Sequence, residues 1–255
     1  MSNFSHVFIS RPQPSAEELA AKLKPLGLQS VVQPAFSYLP LDARAQQAVE
    51  FSELEATGPA DMVLFTSPRS VAHGLAQIPP AVLMTARVAA IGPATSKALA
   101  DAGIRVNVTP RQDYTSEALL EALALEASPA STLRRRAFII AAPGGRKKLL
   151  SGLSKAGWQV RMIMVYKPEA ADLDKPALAA LADASGILSV WTSANAMKAL
   201  SQRVSPATWV RICQGDWLVI SERLRRLARA YGPAEIHLAP GPDNESLFSA
   251  IRNLL

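Results

Sequence analysis

Short apolar runs alternate along the chain with stretches in which apolar residues recur every three or four positions. The runs read as buried strands, and the three-to-four spacing reads as the inward face of a helix. "HVFIS" at 6–10 is the first such strand. Residues 15–26 then read as a helix with Leu19, Leu23 and Leu26 on one face, Ser15 and Glu18 in capping-box spacing, and Gly27 as the stop. "LQSVVQPAF" reads as the second strand. "DMVLFTS" leads from a strand into a helix. "RVAAIGPATSKALADAG" is strand, turn and helix, closed by Gly103. "VNVTPRQDYTSEALLEAL" is a short strand, a loop and a capped helix.

The same phrases return later in the chain. "AFIIAAPGG", "RKKLLSGLSKA" and "WQVRMIMVY" repeat the opening strand–helix–strand, with Gly157 as the stop. "ILSVWTS" echoes "DMVLFTS", and "WLVISERLRRLARAYG" echoes the strand–turn–helix that ends at Gly103. "IHLAPGPDNESLFSAI" matches the last unit, placing Glu245 opposite Glu117 and Leu247 opposite Leu119. The chain therefore reads as two copies of one α/β domain. Strands alternating with helices imply parallel sheets covered on both faces.

In such sheets ligands bind beyond the carboxyl ends of the strands. Thr66-Ser67 and Thr192-Ser193 each end a strand and begin a helix, where hydroxyls and free backbone N–H groups suit an anion. Gly92-Pro93-Ala94-Thr95 repeats the arrangement. Ser10-Arg11 and Gly144-Gly145-Arg146 supply further strand ends. A Ser or Thr at a helix start is equally an ordinary cap. Number and shared position are what point to a site.

Composition adds a size and a charge. The 255 residues are 49% hydrophobic and 19% charged, enough to bury a substantial core in one large or two smaller domains. The net charge of +6 favours anionic partners without choosing among them. Aromatic residues make up only 6% and do not interleave with basic runs, which argues against single-stranded nucleic acid, and no nucleic-acid partner is expected. Cys213 is the single cysteine, so no internal disulfide is expected. The N-terminus shows no signal-peptide pattern and no apolar run reaches membrane-spanning length, so a cytoplasmic protein without a membrane partner is expected.

Many chemistries find no motif here. His6, His73 and His237 show no ligand spacing, and with one cysteine no metal site is expected. Neither a phosphate-binding lysine loop nor a G-x-G-x-x-G fingerprint is present, and there is no G-x-S-x-G elbow. Asp42, Asp61 and Asp101 read as loop or helix-start residues. Arg134-Arg135-Arg136 reads as a solvated loop. Arg223, Arg225, Arg226 and Arg229 read as a helix surface, with Leu224, Leu227 and Ala228 inward. Arg223 stands apart because it falls in the first turn after a strand end.

Taken in order, the phrases resemble the uroporphyrinogen-III synthase family over nearly the whole length. They are "ISRP" (Ile9–Pro12), "FTSPRSV" (Phe65–Val71), "AIGPATSKAL" (Ala90–Leu99), "TSEALLEAL" (Thr115–Leu123), "GWQVRMIMVYKP" (Gly157–Pro168), "WTSANAM" (Trp191–Met197) and the run Asn244-Glu245-Ser246-Leu247. The resemblance implies two similar doubly wound, flavodoxin-like domains joined by a two-stranded linker. Residues 1–36 would join 171–255 in one discontinuous domain and 40–166 would form the other, with crossings near 34–41 and 165–171 and an active site in the cleft between the domains.

It also implies a reaction without a cofactor. The substrate would be hydroxymethylbilane, a linear polycarboxylate tetrapyrrole, which loses water and closes with inversion of the last pyrrole ring. The family's usual account runs through a spiro intermediate. The uncatalysed closure gives the type I isomer, so the enzyme must hold the chain in one geometry. Tyr166 in "VYKP" matches the family's cleft tyrosine and would act as general acid on the departing hydroxyl. Thr66, Ser67, Thr95, Thr192 and Ser193 match positions that line the cleft. Arg11 and Arg146 join them as carboxylate binders from strand-end position and charge. Where many relatives repeat a "GP-x-T" turn, this chain reads Ile220-Ser221-Glu222-Arg223. Ser221 and Arg223 are expected to bind there, and Glu222 to point away. A monomer is expected, with transient hand-over from hydroxymethylbilane synthase. The alternative is a non-catalytic sensor or binder of small polyanions on the same scaffold.

Overall fold

The computed structural model describes residues 4–110, 115–125, 135–144 and 147–255. The chain forms eleven strands among these residues: β1 (His6–Ile9), β2 (Gln29–Val32), β3 (Phe36–Pro40), β4 (Met62–Phe65), β5 (Arg87–Ala90), β6 (Arg136–Ala141), β7 (Gln159–Met164), β8 (Tyr166–Ala170), β9 (Ile187–Trp191), β10 (Asp216–Val219) and β11 (Ile236–Leu238). Two compact units result. One comprises Met1–Ser37 with Glu169–Leu255, the other Tyr38–Pro168. β3 and β8 pair with each other in a two-stranded sheet, and the unit boundaries fall within them.

The first unit holds a five-stranded sheet in the order β11-β10-β9-β1-β2, all parallel. The register sets Phe8 beside Ser189 and Val219 beside Trp191. Alternation along these strands divides the core into two layers. Phe8, Trp191 and Trp217 pack on one face, and Val7, Ile9, Leu188, Val190 and Leu218 on the other. Burial of both faces is what produces near-continuous apolar runs in the sequence.

The second unit holds a parallel sheet in the order β5-β4-β6-β7. Val63, Phe65, Phe138 and Ile140 face one layer, and Met62, Leu64, Ala137 and Ile139 the other. Val108 makes an isolated parallel bridge to Ala89 of β5. The sequence repeat now takes a spatial form. Written from the other edge, the second sheet reads β7-β6-β4-β5 followed by Val108, and the first reads β2-β1-β9-β10-β11. Each phrase occupies the same place as its echo. The order of use along the chain differs, because the first unit takes β1 and β2 from the start of the chain.

Local departures from the sequence reading have physical causes. The helix Ser15–Leu23 starts after Pro14 with no side-chain cap bond, so the Ser15–Glu18 box does not form, and Lys24–Leu26 tighten into a 3₁₀ turn ended by Gly27 at φ 76°. "LQSVVQPAF" splits into β2 and β3 at Gln33-Pro34-Ala35. Pro34 has no N–H to continue the ladder, and the buried Gln33 side chain donates to the Pro34 and Asp172 carbonyls and accepts from Asp174 N. "WQVRMIMVY" breaks at Val165, whose carbonyl accepts from Leu41 N at 3.0 Å. The strand expected at "VNV" is reduced to the Val108 bridge.

Two charge readings are also corrected. Arg136 opens β6 instead of lying on a loop, and its guanidinium meets the buried Asp61 carboxylate at 2.6 Å. Asp61 also accepts from Gly58 N and Arg136 N, each at 2.9 Å, while its carbonyl accepts from Arg87 N. It therefore ties the starts of β4, β5 and β6 together. Burial works against the charged form of Asp61, but the bonds from Arg136 and Gly58 outweigh it and hold the carboxyl below its ordinary value. Arg135 lies over the Trp158 ring at 4.7 Å; Arg134 falls outside the described residues. In the helix Glu222–Ala228, Leu224 and Ala228 are buried as expected, whereas Leu227 is exposed.

Candidate active site

A doubly wound sheet opens a crevice where its strand order reverses, because the helices on either side of that point leave in opposite directions. In the first unit the reversal lies between β1 and β9, and in the second between β6 and β4. One hydroxyl bridges each reversal. Ser10 Oγ donates to the Val190 carbonyl at 2.8 Å, and Thr66 Oγ1 donates to the Ile140 carbonyl at 3.0 Å. Both residues are buried. Thr66 thus has an internal bond that joins the ends of β4 and β6.

Ser67 follows and begins the helix Pro68–Leu75. Its hydroxyl accepts from Ser70 N at 3.0 Å in a reciprocal capping box. The same oxygen lies 3.3 Å from the Tyr166 hydroxyl. Tyr166 is 7% exposed. Its ring stacks on His73 at 5.2 Å between centroids, and Tyr38 meets it edge-on at 5.9 Å. Arg69 holds its guanidinium 3.6 Å from the centre of the Tyr38 ring, a cation–π contact. Burial, and then the neighbouring Arg69 charge, push the His73 pKa below its ordinary value. One phenol hydroxyl, one serine hydroxyl and one arginine thus gather at the carboxyl edge of the second unit. Thr95, buried in the first turn of the helix Pro93–Asp101, follows β5 at the same edge. Arg146 lies outside the described residues.

In the first unit Arg11, Thr192-Ser193 and Ser221-Arg223 follow the neighbouring strands β1, β9 and β10. Arg11 is half-buried and donates to Asn244 Oδ1 at 2.6 Å, and Asn244 donates to Glu18 at 2.9 Å. Burial lowers the Arg11 pKa, while Asp243 and Glu18 oppose the shift. Ser221 accepts from Leu224 N at 3.3 Å and so caps its helix. Glu222 is exposed and pairs with Arg225 at 3.3 Å, and Arg223 is exposed. Ser193 differs from the other caps: it occupies the cap position of the helix Ala194–Arg203 without a side-chain cap bond. Ser193 is half-buried, as is Thr192 beside it.

A family model described as Uroporphyrinogen-III synthase HemD matches residues 17–249. The chain belongs to the uroporphyrinogen-III synthase family. The curated uroporphyrinogen-III synthase of Escherichia coli (strain K12) is 27% identical over 253 residues, covering 96% of this chain and 99% of that protein. Its counterpart in Salmonella typhimurium is 28% identical over 257 residues, with the same coverage. Two solved structures share the fold. A mutant uroporphyrinogen III synthase from the extremely thermophilic bacterium Thermus thermophilus superposes with a TM-score of 0.61 at 17% identity, covering 98% of each chain. Uroporphyrinogen-III synthetase from Helicobacter pylori 26695 gives 0.58 at 15%, covering 98% of this chain and 99% of that one.

Within this member of the family, sequence reading missed Tyr38, Arg69 and His73. One signal was available. Arg69 and His73 stand four apart in "SPRSVAH", hence on one helix face, directly after the Thr-Ser strand end. Nothing in the linear order brings Tyr38 or Tyr166 to that face.

Proposed function

We propose that this chain works as a uroporphyrinogen-III synthase, converting hydroxymethylbilane to uroporphyrinogen III for haem and tetrapyrrole biosynthesis. The match to the family over 17–249 carries this reading. The residues at the strand ends support it. Thr192, Ser193, Arg223 and Arg11 in the first unit, with Ser67, Thr95 and Arg146 in the second, bind substrate carboxylates. Ser221 assists from a helix cap. Thr66, whose hydroxyl is already bonded, contributes through its position at the strand end.

Tyr166 takes the catalytic role. Its phenol donates a hydrogen bond to the substrate hydroxyl. As the carbon–oxygen bond breaks, the hydroxyl leaves as water with the added proton, and the phenol supports that proton transfer. The stacked His73 and edge-on Tyr38 restrict the ring, and Ser67 sets the direction of the hydroxyl. Holding the bound chain in one geometry directs closure onto the inverted last ring, which is control by orientation. The protein acts in the cytoplasm as a monomer, without a cofactor, and takes its short-lived substrate by transient hand-over from hydroxymethylbilane synthase.

The test generates hydroxymethylbilane from porphobilinogen with that preceding enzyme, adds the purified protein, oxidises the products and separates the isomers. Predominantly type III product is expected. Type I product alone, from folded protein, would leave a polyanion binder on this scaffold.

A further inference from the structure

His237, which shows no ligand spacing in sequence, acquires ligand neighbours in the fold. Trp217 pairs with Ile236 and Leu218 with His237. That register puts Asp216 opposite Glu235, and strand alternation puts both on the same face as His237. His237 Nε2 lies 2.9 Å from Asp216 Oδ2 and 3.8 Å from Glu235 Oε2, and the three donor atoms all fall within 4.8 Å of one another. Two ligands of a tetrahedral zinc ion, each about 2.1 Å from the metal, stand about 3.4 Å apart. The observed separations bracket that value.

We propose that Asp216, Glu235 and His237 form a binding site for a divalent transition cation of the zinc class. One imidazole nitrogen with two carboxylates suits a borderline ion better than calcium or magnesium, which favour oxygen alone. The site is part-organised. The Asp216 and His237 side chains are 19% and 23% exposed and already meet, whereas Glu235 at 72% can swing onto an arriving ion. Asp216 and Glu235 line a surface cleft of about 420 Å³, and His237 lines a second one of about 410 Å³, so each ligand borders open space. Arg211 lines the first cleft, but its guanidinium donates to the Leu181 and Ala184 carbonyls and to Gln214. Asp216 opens β10, so the site lies at the opposite end of the strand from Ser221. β11 is the edge strand and only three residues long. An ion shared between β10 and β11 would fasten that edge.

The experiment titrates chelator-treated, tag-free protein with ZnCl₂ by calorimetry and follows the unfolding temperature in parallel. One-to-one saturable binding is expected, with a rise in unfolding temperature because the ion binds the folded form. Asp216→Asn and His237→Ala should each weaken binding by about tenfold or more, since the first takes the charge from one ligand of three and the second removes another. Cys213→Ser, which removes the single thiol, should leave binding unchanged. Metal-free melting curves establish that each variant is folded. No saturable heat with the parent protein overturns the proposal. So does zinc binding that survives both ligand variants or disappears with Cys213→Ser. None of these readouts depends on synthase activity.

Discussion

Tyr166 is held by three different kinds of contact: a hydroxyl partner in Ser67, a stacked ring in His73 and an edge contact from Tyr38. Tyr166→Phe keeps the ring contacts and removes only the proton donor. General-acid assistance contributes on the order of 10²-fold or more. We therefore expect kcat for type III formation to fall on that order with the unfolding temperature nearly unchanged. Full activity in the Phe variant would remove the acid from the mechanism. Asp61 gives a second expectation at this scale. Its folded carboxyl titrates below its ordinary value, so its contribution to stability is present above the unfolded pKa of about 3.9. That contribution is lost as pH falls through the lower, folded value. At neutral pH, Asp61→Asn should cost about 2 kcal/mol in denaturant melts, because it weakens charge-assisted bonds to Arg136 and backbone N–H groups. The variant should also show a flatter loss of stability in acid.

At the scale of elements, two helix starts carry the same Thr-Ser phrase and use it differently. Ser67 caps its helix and Ser193 does not. Ser67→Ala should cost about 1 kcal/mol in thermal or denaturant unfolding, the usual penalty for a lost cap. Ser193→Ala should change stability by less than about 0.5 kcal/mol yet raise KM, because that hydroxyl remains available to substrate. If Ser193→Ala leaves KM unchanged, the residue is not a carboxylate binder. The contrast also bears on what a sequence can convey. "LFTS" and "VWTS" correctly mark strand-to-helix junctions, since apolar runs and cap residues are local signals. Whether a hydroxyl faces its own helix, a neighbouring carbonyl or a ligand depends on the next strand. Thr66 turns to Ile140, distant in sequence, and so its local phrase could not separate it from Thr192.

At the scale of the whole molecule, net charge and function meet. A protein of charge +6 attracts a polycarboxylate, and salt screens that attraction. KM for hydroxymethylbilane should therefore rise several-fold between about 0.05 and 0.5 M salt, with a smaller change in kcat. A KM independent of salt would show that close contacts alone govern capture.

The same scale separates what sequence and fold each decide. Apolar runs, helical spacing and repeated phrases determined by themselves that the chain is α/β, built twice and lined at its strand ends with serine, threonine and arginine. These follow from periodicity and capping, which act over a few residues. The tertiary structure decided that β1 sits between β9 and β2, that Asp61 and Arg136 tie three strands, and that Tyr166 meets Ser67 and His73. It also decided that Asp216, Glu235 and His237 converge. Each of these rests on which strands pair and in what register, and register is set by contacts between residues far apart in the chain.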